Sequence, residues 1–182
     1  MRNALKCSVI FVALMTVCAC ASQPPAQLES VRPPEWSYES NAIHIHLKAD
    51  SRLNLYQNLP HTLLMCVYQL SDPNGFNQLA EDKTGLYKLL ECQRFDQSVT
   101  NAKRLVIQPG QDETFHMDRA EGTRYVGIAA GYYTLDKTNI VKLYQLVLAE
   151  RKEPGGVRVS KPAPLNIDLY LAPQSLQPMG GK

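Results

Sequence analysis

This 182-residue chain lacks most of what marks an enzyme. It has no G-x-S-x-G elbow, no phosphate-cradling glycine loop and no H-E-x-x-H helix, which removes the common routes to acyl transfer, phosphoryl transfer and zinc hydrolysis. Charge of one sign is also missing, with 19 Lys and Arg against 17 Asp and Glu. No dense Lys/Arg cluster occurs, so nothing would collect nucleic acid by bulk electrostatics. Asp96, Asp112, Asp118 and Glu121 are scattered near turns, where capping and solvation account for them. Neither catalysis nor a cofactor is expected. No apolar run is long enough to cross a bilayer as a helix. Tryptophan occurs once and cysteine five times, and three of those cysteines lie in the first 20 residues.

That early cluster is the most informative feature present. Arg2 and Lys6 precede an apolar run from Cys7 to Val17, followed by Val17-Cys18-Ala19-Cys20. The order of a positive start, a short apolar stretch and a small residue before cysteine is that of a bacterial lipoprotein signal. Ala19 fits a peptidase that cuts before a lipid-modified cysteine, so the mature chain is expected to begin at acylated Cys20. An ordinary secretory signal closing at Ala19 is the alternative. One acyl chain binds membranes only marginally, at about 0.8 kcal/mol per buried methylene, whereas several on one cysteine hold essentially permanently. Residue two of the mature chain is Ala21, not the aspartate associated with inner-membrane retention, which favours the periplasmic face of the outer membrane. Losing Arg2 and Lys6 takes the formal charge of +2 to zero, so a partner must be recognised by shape and local chemistry.

Residues 1–19 therefore read as the signal, 20–41 as the acylated cysteine and a tether, 42–172 as one domain and 173–182 as a C-terminal tail. The tether carries Pro24, Pro25, Pro33 and Pro34 among polar residues and cannot bury enough apolar surface to fold alone. As a coil it would span about 25 Å, and stiffened by proline about 60 Å. Trp36 and Tyr38 interrupt it and are expected to dock on the domain or on lipid.

Within the domain the dominant period is two. Ile43, Ile45 and Leu47 alternate with His44, His46 and Lys48, the mark of a strand with one wet face. Residues 63–70 read as a more fully buried strand, and 104–108, 113–117, 124–132, 141–148, 157–159 and 165–171 as further strands. Pro109-Gly110, Asp118 to Gly122 and Pro154-Gly155-Gly156 separate them with turn chemistry. One stretch departs from this pattern: Phe76, Leu79 and Ala80, then Leu86, Leu89 and Leu90, recur at helical spacing, with Asp72 or Asn74 able to cap the first helix. The sequence predicts a mainly β fold, an antiparallel β-sandwich with a short two-helix insertion after its second strand.

Cys66 and Cys92 remain in the domain, 26 residues apart. In an oxidising compartment they can bridge, closing a loop worth about 3 to 4 kcal/mol by chain entropy; two buried free thiols are the alternative. His44 and His46 point the same way on one strand, as metal ligands would. His61 and His116 fall on other elements, so solvated histidines on an edge strand are favoured and no metal is expected.

Leu53-Asn54, a loop with Pro60, the strand ending Val67-Tyr68-Gln69-Leu70, Phe76 and the double-helix insertion, Pro109-Gly110, and Tyr125-Val126-Gly127-Ile128-Ala129-Ala130-Gly131-Tyr132 occur here in that order. The ordered set, running from about Leu53 to Leu148 behind a lipobox, resembles the TssJ family, outer-membrane lipoproteins of type VI secretion systems. The resemblance implies a transthyretin-like sandwich and a structural role, binding the periplasmic domain of a TssM-like inner-membrane protein while acyl chains on Cys20 hold the outer membrane. It also implies that the loop between the first two strands makes the contact, at Leu53, Leu55, Tyr56, Asn58 and Leu59, although at least one of these leucines must pack on the core. A periplasmic lipoprotein whose sandwich binds a small ligand or another envelope assembly is the alternative function.

Overall fold

The structure, a computed structural model, describes residues 34–152 and 158–179. In chain order the elements are β1 (Glu39–Ala49), β2 (Leu63–Leu70), α1 (Asn74–Leu79), α2 (Lys83–Leu89), β3 (Val99–Ile107), β4 (Asp112–Arg119), β5 (Tyr125–Ala130), α3 (Lys137–Ile140), β6 (Val141–Gln145), β7 (Leu148–Lys152), β8 (Arg158–Pro162), β9 (Leu165–Leu171) and β10 (Leu176–Pro178). One sheet runs β10-β9-β1-β4 and the other β3-β2-β5-β6, while β7 and β8 form a separate ribbon. Ile43, Ile45, Leu47, Ile167 and Leu169 of the first sheet share a core with Met65, Val67 and Ile128 of the second. Strand alternation supplies these inward rows, and burial of each large aliphatic side chain contributes about 1.5 to 3 kcal/mol.

β1 is an interior strand, not the edge strand that its polar face suggested. It pairs antiparallel with β4, placing Ile45 opposite Phe115, and parallel with β9, placing Ile45 opposite Ile167. A parallel neighbour requires a long crossover, and β9 returns only after the chain has built the second sheet.

β2 is buried on both faces because the helical insertion covers its outer side. Tyr68 lies against Phe76 and Phe95, and its hydroxyl donates to the Leu89 carbonyl at 2.5 Å. Burial pushes that phenol up to about 12. Gly127, opposite Tyr68 on β5, permits this packing, since a Cβ there would stand 2.8 Å from the Phe76 ring. Asp72 accepts from the Asn74 amide at 2.8 Å, and Asp82 caps α2 through the Gly85 amide at 2.8 Å. Cys66 points to the same side as Tyr68 and is disulfide-bonded to Cys92, with Cα atoms 5.0 Å apart. Buried Gln69, on the opposite face of β2, holds the β4–β5 turn. Its amide donates to the Asp118 carbonyl at 2.8 Å and its oxygen accepts from the Ala120 amide at 2.8 Å and the Thr123 hydroxyl at 3.1 Å.

Two local expectations change, and one short helix is added. Residues 141–148 are two strands, because Leu146 turns inward, with its amide donating to the Arg124 carbonyl, and β7 leaves the sheet to pair with β8. The expected tail at 173–182 includes β10, which adds to β9 and buries Leu176. α3 is a single turn capped by Asp136, whose carboxylate accepts from the Thr138 amide at 3.0 Å. Val157 lies outside the described residues, as do Cys20 and the tether before Pro34.

The segment before β1 is docked. The Trp36 carbonyl accepts from the Gly122 amide at 2.7 Å, and the Arg124 guanidinium lies 5.4 Å from the Trp36 ring centre. Asp118 accepts from the Tyr38 hydroxyl at 2.7 Å and from the Asn41 amide at 2.8 Å. Buried Arg119 pairs with Glu39 at 3.0 Å and donates to the carbonyls of Ser37 at 3.0 Å and Pro162 at 3.4 Å.

Replacing both Cys66 and Cys92 with serine is expected to lower the melting temperature only under oxidising conditions, at a cost of about 3 to 4 kcal/mol. Melting curves with and without reductant check this. Equal melting of wild type and variant without reductant would mean the bridge contributes nothing.

Candidate interaction site

β1 ends at Ala49 and the chain turns at once into the connection to β2. Asp50 organises its start: its carboxylate accepts from the Tyr170 hydroxyl and, at 2.7 Å, from the Arg52 amide. Those donors, the Tyr170 hydroxyl first, hold the Asp50 carboxyl below its ordinary range. Leu53 then inserts into the core with no exposed surface. This corrects its expected place among the contact residues, because a side chain packed there cannot reach a partner. Asn54, in the left-handed region at φ 48°, is a structural tie. Its amide donates to the Thr62 carbonyl at 3.0 Å, and its oxygen accepts from the Tyr133 amide at 2.9 Å.

Beyond that tie the loop folds into a miniature hairpin. Tyr56 and Leu59 exchange backbone hydrogen bonds at 3.0 and 2.9 Å across Gln57 and Asn58, whose φ values are 47° and 64°. Two consecutive left-handed residues make the tight turn that matches strand twist, and asparagine tolerates this better than most residues. The hairpin fixes where its side chains project. Tyr56 is 39% exposed, Leu59 is 62% exposed and Asn58 stands at the tip. Leu55 is half-buried, its amide held by the Pro173 carbonyl at 2.9 Å.

Tyr133, which reading the sequence overlooked, completes this surface. Its ring stacks on Tyr56 with centres 3.6 Å apart and planes 5° from parallel, and it remains 57% exposed. His61 is tilted against both rings at 6.4 and 5.9 Å. The available signal was the adjacent Tyr132-Tyr133 after Gly131. Tyr132 turns inward, where its hydroxyl donates to the Ser175 carbonyl at 2.9 Å, so its neighbour must face out. The resulting platform of two stacked tyrosines and a leucine is rigid and amphipathic, which suits it to bind a protein surface at low entropy cost.

The histidines of β1 occupy the polar outer face of the first sheet. His44 lies between Asn166 at 3.0 Å and the Asn41 carbonyl at 2.9 Å, and its ring meets His116 edge-on at 4.9 Å. His46 bridges strands, with one ring nitrogen 2.9 Å from Asp112 on β4 and the other 3.2 Å from Asp168 on β9. The Asp112 hydrogen bond, then that of Asp168, raises the His46 pKa above the ordinary histidine value despite opposing desolvation. His46 in turn lowers that of Asp112. Among the described residues no group of three or more His, Cys, Asp or Glu is arranged to hold a metal.

The raised His46 pKa contributes stability that is complete below the unfolded value and lost as pH rises through the folded one. The lowered Asp112 pKa contributes stability present above its unfolded value and lost as pH falls through the folded one. The pair therefore favours the folded state most between about pH 4 and about pH 6.5. Histidine titration by NMR is expected to show a His46 midpoint above the ordinary value that falls in Asp112→Asn. A midpoint unmoved by that change would mean the pair is not formed.

Comparison with known proteins places these features. The T6SS-SciN family model, described as type VI secretion lipoprotein, VasD, EvfM, TssJ, matches residues 41–170. Among solved structures the chain is similar to the type VI lipoprotein TssJ1 of Pseudomonas aeruginosa, at 20% identity and TM-score 0.55, covering 80% of this chain and 95% of that one. It is similar also to Lip of Serratia marcescens, described as a membrane-bound component of the type VI secretion system, at 18% identity and TM-score 0.57, covering 80% and 99%. A structure described as the TssM C-terminal domain from EAEC matches at 17% identity and TM-score 0.56, covering 76% and 98%. At these identities the structural matches speak for the fold alone. No curated protein sequence matches the chain.

Proposed function

This chain belongs to the TssJ family of type VI secretion lipoproteins, and we propose that it is the adaptor tethering the periplasmic domain of a TssM-like inner-membrane protein to the outer membrane. Acyl chains on Cys20 provide the attachment to the periplasmic face of that membrane. The loop after β1, through Leu55, Tyr56, Asn58 and Leu59, meets the protein partner, with Tyr133 extending the same surface. The observation that carries this reading is the stacked Tyr56–Tyr133 pair beside exposed Leu59, a preformed apolar platform on a rigid scaffold. Two structures to which the chain is similar support the partner, one described as the TssM C-terminal domain and one as a type VI membrane complex.

The lipid attachment has a direct test. Cys20→Ser is expected to leave the domain folded and move it from the membrane fraction to the soluble periplasm, since no helix among the described residues is long and apolar enough to span a bilayer. A variant that stays in the outer membrane without a partner protein holding it there would refute lipidation at Cys20.

For the partner surface, Tyr56→Ala, Leu59→Ala and Tyr133→Ala are each expected to weaken binding to the purified periplasmic domain of a TssM-like protein by about 1 to 2 kcal/mol. Their melting temperatures should hardly change. Ile128→Ala, deep in the core, is expected to cost about 2 to 5 kcal/mol of stability. Calorimetric titration separates the two effects, and unchanged affinity across the platform variants would place the interface elsewhere.

A further inference from the structure

The strands give the sandwich two poles. At one lie the ends of β1 and β5 and the beginning of β2, with the tyrosine platform; at the other lie the beginnings of β1, β5 and β9 and the ends of β4 and β6. β1 spans the distance between them, about 35 Å for its 11 residues. The chain leading from Cys20 arrives at the second pole, because the segment before β1 is fixed there by Trp36, Tyr38 and Arg119.

That second pole is unusually apolar for a turn region. Val147 is 71% exposed, Tyr38 59% and Leu148 38%. They are neighbours through the chain: the Val147 carbonyl accepts from the Ala163 amide at 2.8 Å, Leu148 pairs with Pro162, and Arg119 joins Pro162 to Ser37. Only thirteen residues separate Cys20 from Pro34. A coil of that length spans about 20 Å, and full extension reaches about 50 Å. The charges nearby are mixed, Arg119, Arg124 and Lys161 standing beside Glu35, Glu39, Asp118 and Glu121. Attraction to anionic lipid therefore has little to act on, and contact with a membrane would be apolar and interfacial, the setting that suits tyrosine and tryptophan.

We propose that this pole, through Val147, Leu148 and Tyr38 with Trp36 beside them, rests on the lipid surface and sets the domain upright with its tyrosine platform pointing away from the membrane. The proposal deepens the adaptor reading and rests on lipidation of Cys20. A short tether keeps the pole at high local concentration at the bilayer, so a contact too weak to bind free protein still orients the anchored one.

Trp36 is the only tryptophan of the chain and lies at this pole, so it reports the contact directly. The acylated mature protein is reconstituted in phosphatidylethanolamine–phosphatidylglycerol vesicles in which a fraction of the acyl chains is brominated, and Trp36 emission is recorded. Quenching is expected, unchanged by high salt, and reduced about twofold or more in the double variant Val147→Asp and Leu148→Asp. Tyr87→Asp, on the exposed side of α2, should quench as the wild type does. A chain that does not float with the vesicles overturns lipidation and the orientation together. A chain that floats, yet shows no quenching or equal quenching in the double variant, overturns the orientation alone. Loss of a concentration-dependent dimer of the soluble Cys20→Ser protein on making the same two substitutions, with quenching unaffected, would assign the patch to a second copy instead.

Discussion

The double pairing of β1 is the constraint on which the rest of the molecule depends. Hydrogen-bonded antiparallel to β4 on one side and parallel to β9 on the other, this strand cannot slip by one residue without turning Ile43, Ile45 and Leu47 out of the core. Its two ends are consequently fixed relative to each other, and each end leads into a segment held on the domain. Before it lies the docked stretch around Trp36 and Tyr38; after it lies the loop bearing Tyr56 and Leu59.

Around that strand the polar interactions are concentrated where loops must be held still. Gln69 fixes the β4–β5 turn against the interior, Asp118 gathers Tyr38 and Asn41, and Asn54 ties the β1–β2 loop to Tyr133. The buried Gln69 and Asn54 side chains satisfy backbone groups that would otherwise be costly away from water, while exposed Asp118 holds the Asn41 amide at the surface. His46 does similar work on the outer face by joining β4 to β9 across β1, with a strength that follows its protonation. The helical insertion is held by different means: Phe76 laid on the gap at Gly127, the Tyr68 hydroxyl on the Leu89 carbonyl, and the Cys66–Cys92 bridge. It covers β2 on the outer face of the second sheet, and both poles expose apolar side chains on rigid supports.

Sequence periodicity alone specified most of the elements. The alternation in β1 and β9, the continuous apolar run of β2 and the helical spacing around Phe76 and Leu86 are local signals, and the structure forms strands and helices there. The fold class followed from their order, and the family from the resemblance of residues such as Val67-Tyr68-Gln69-Leu70 and Tyr125 to Tyr132 to a known set. The loop after β1 was legible too, because Tyr56 and Leu59 between turn residues are unusual in a solvated connection.

What the sequence could not supply were pairings between distant residues. Nothing local marks β1 as an interior strand, since the identity of its neighbours depends on β9, over a hundred residues away. The break between β6 and β7 is hidden in one apolar run because its cause, Leu146 turning inward under Arg124, is a tertiary contact. β10 has no signature of its own in the sequence, because three residues carry no periodicity until β9 offers them an edge. The same holds for the candidate surfaces: the sequence marked the sandwich and the apolar loop after its first strand. Only the tertiary structure decided that Leu53 belongs to the core, that Tyr133 stacks on Tyr56 to finish the platform, and that Tyr38 and Val147 meet at the opposite pole. Local pattern sets what each segment can become, whereas a surface is made by residues that close contacts, not chain proximity, bring together.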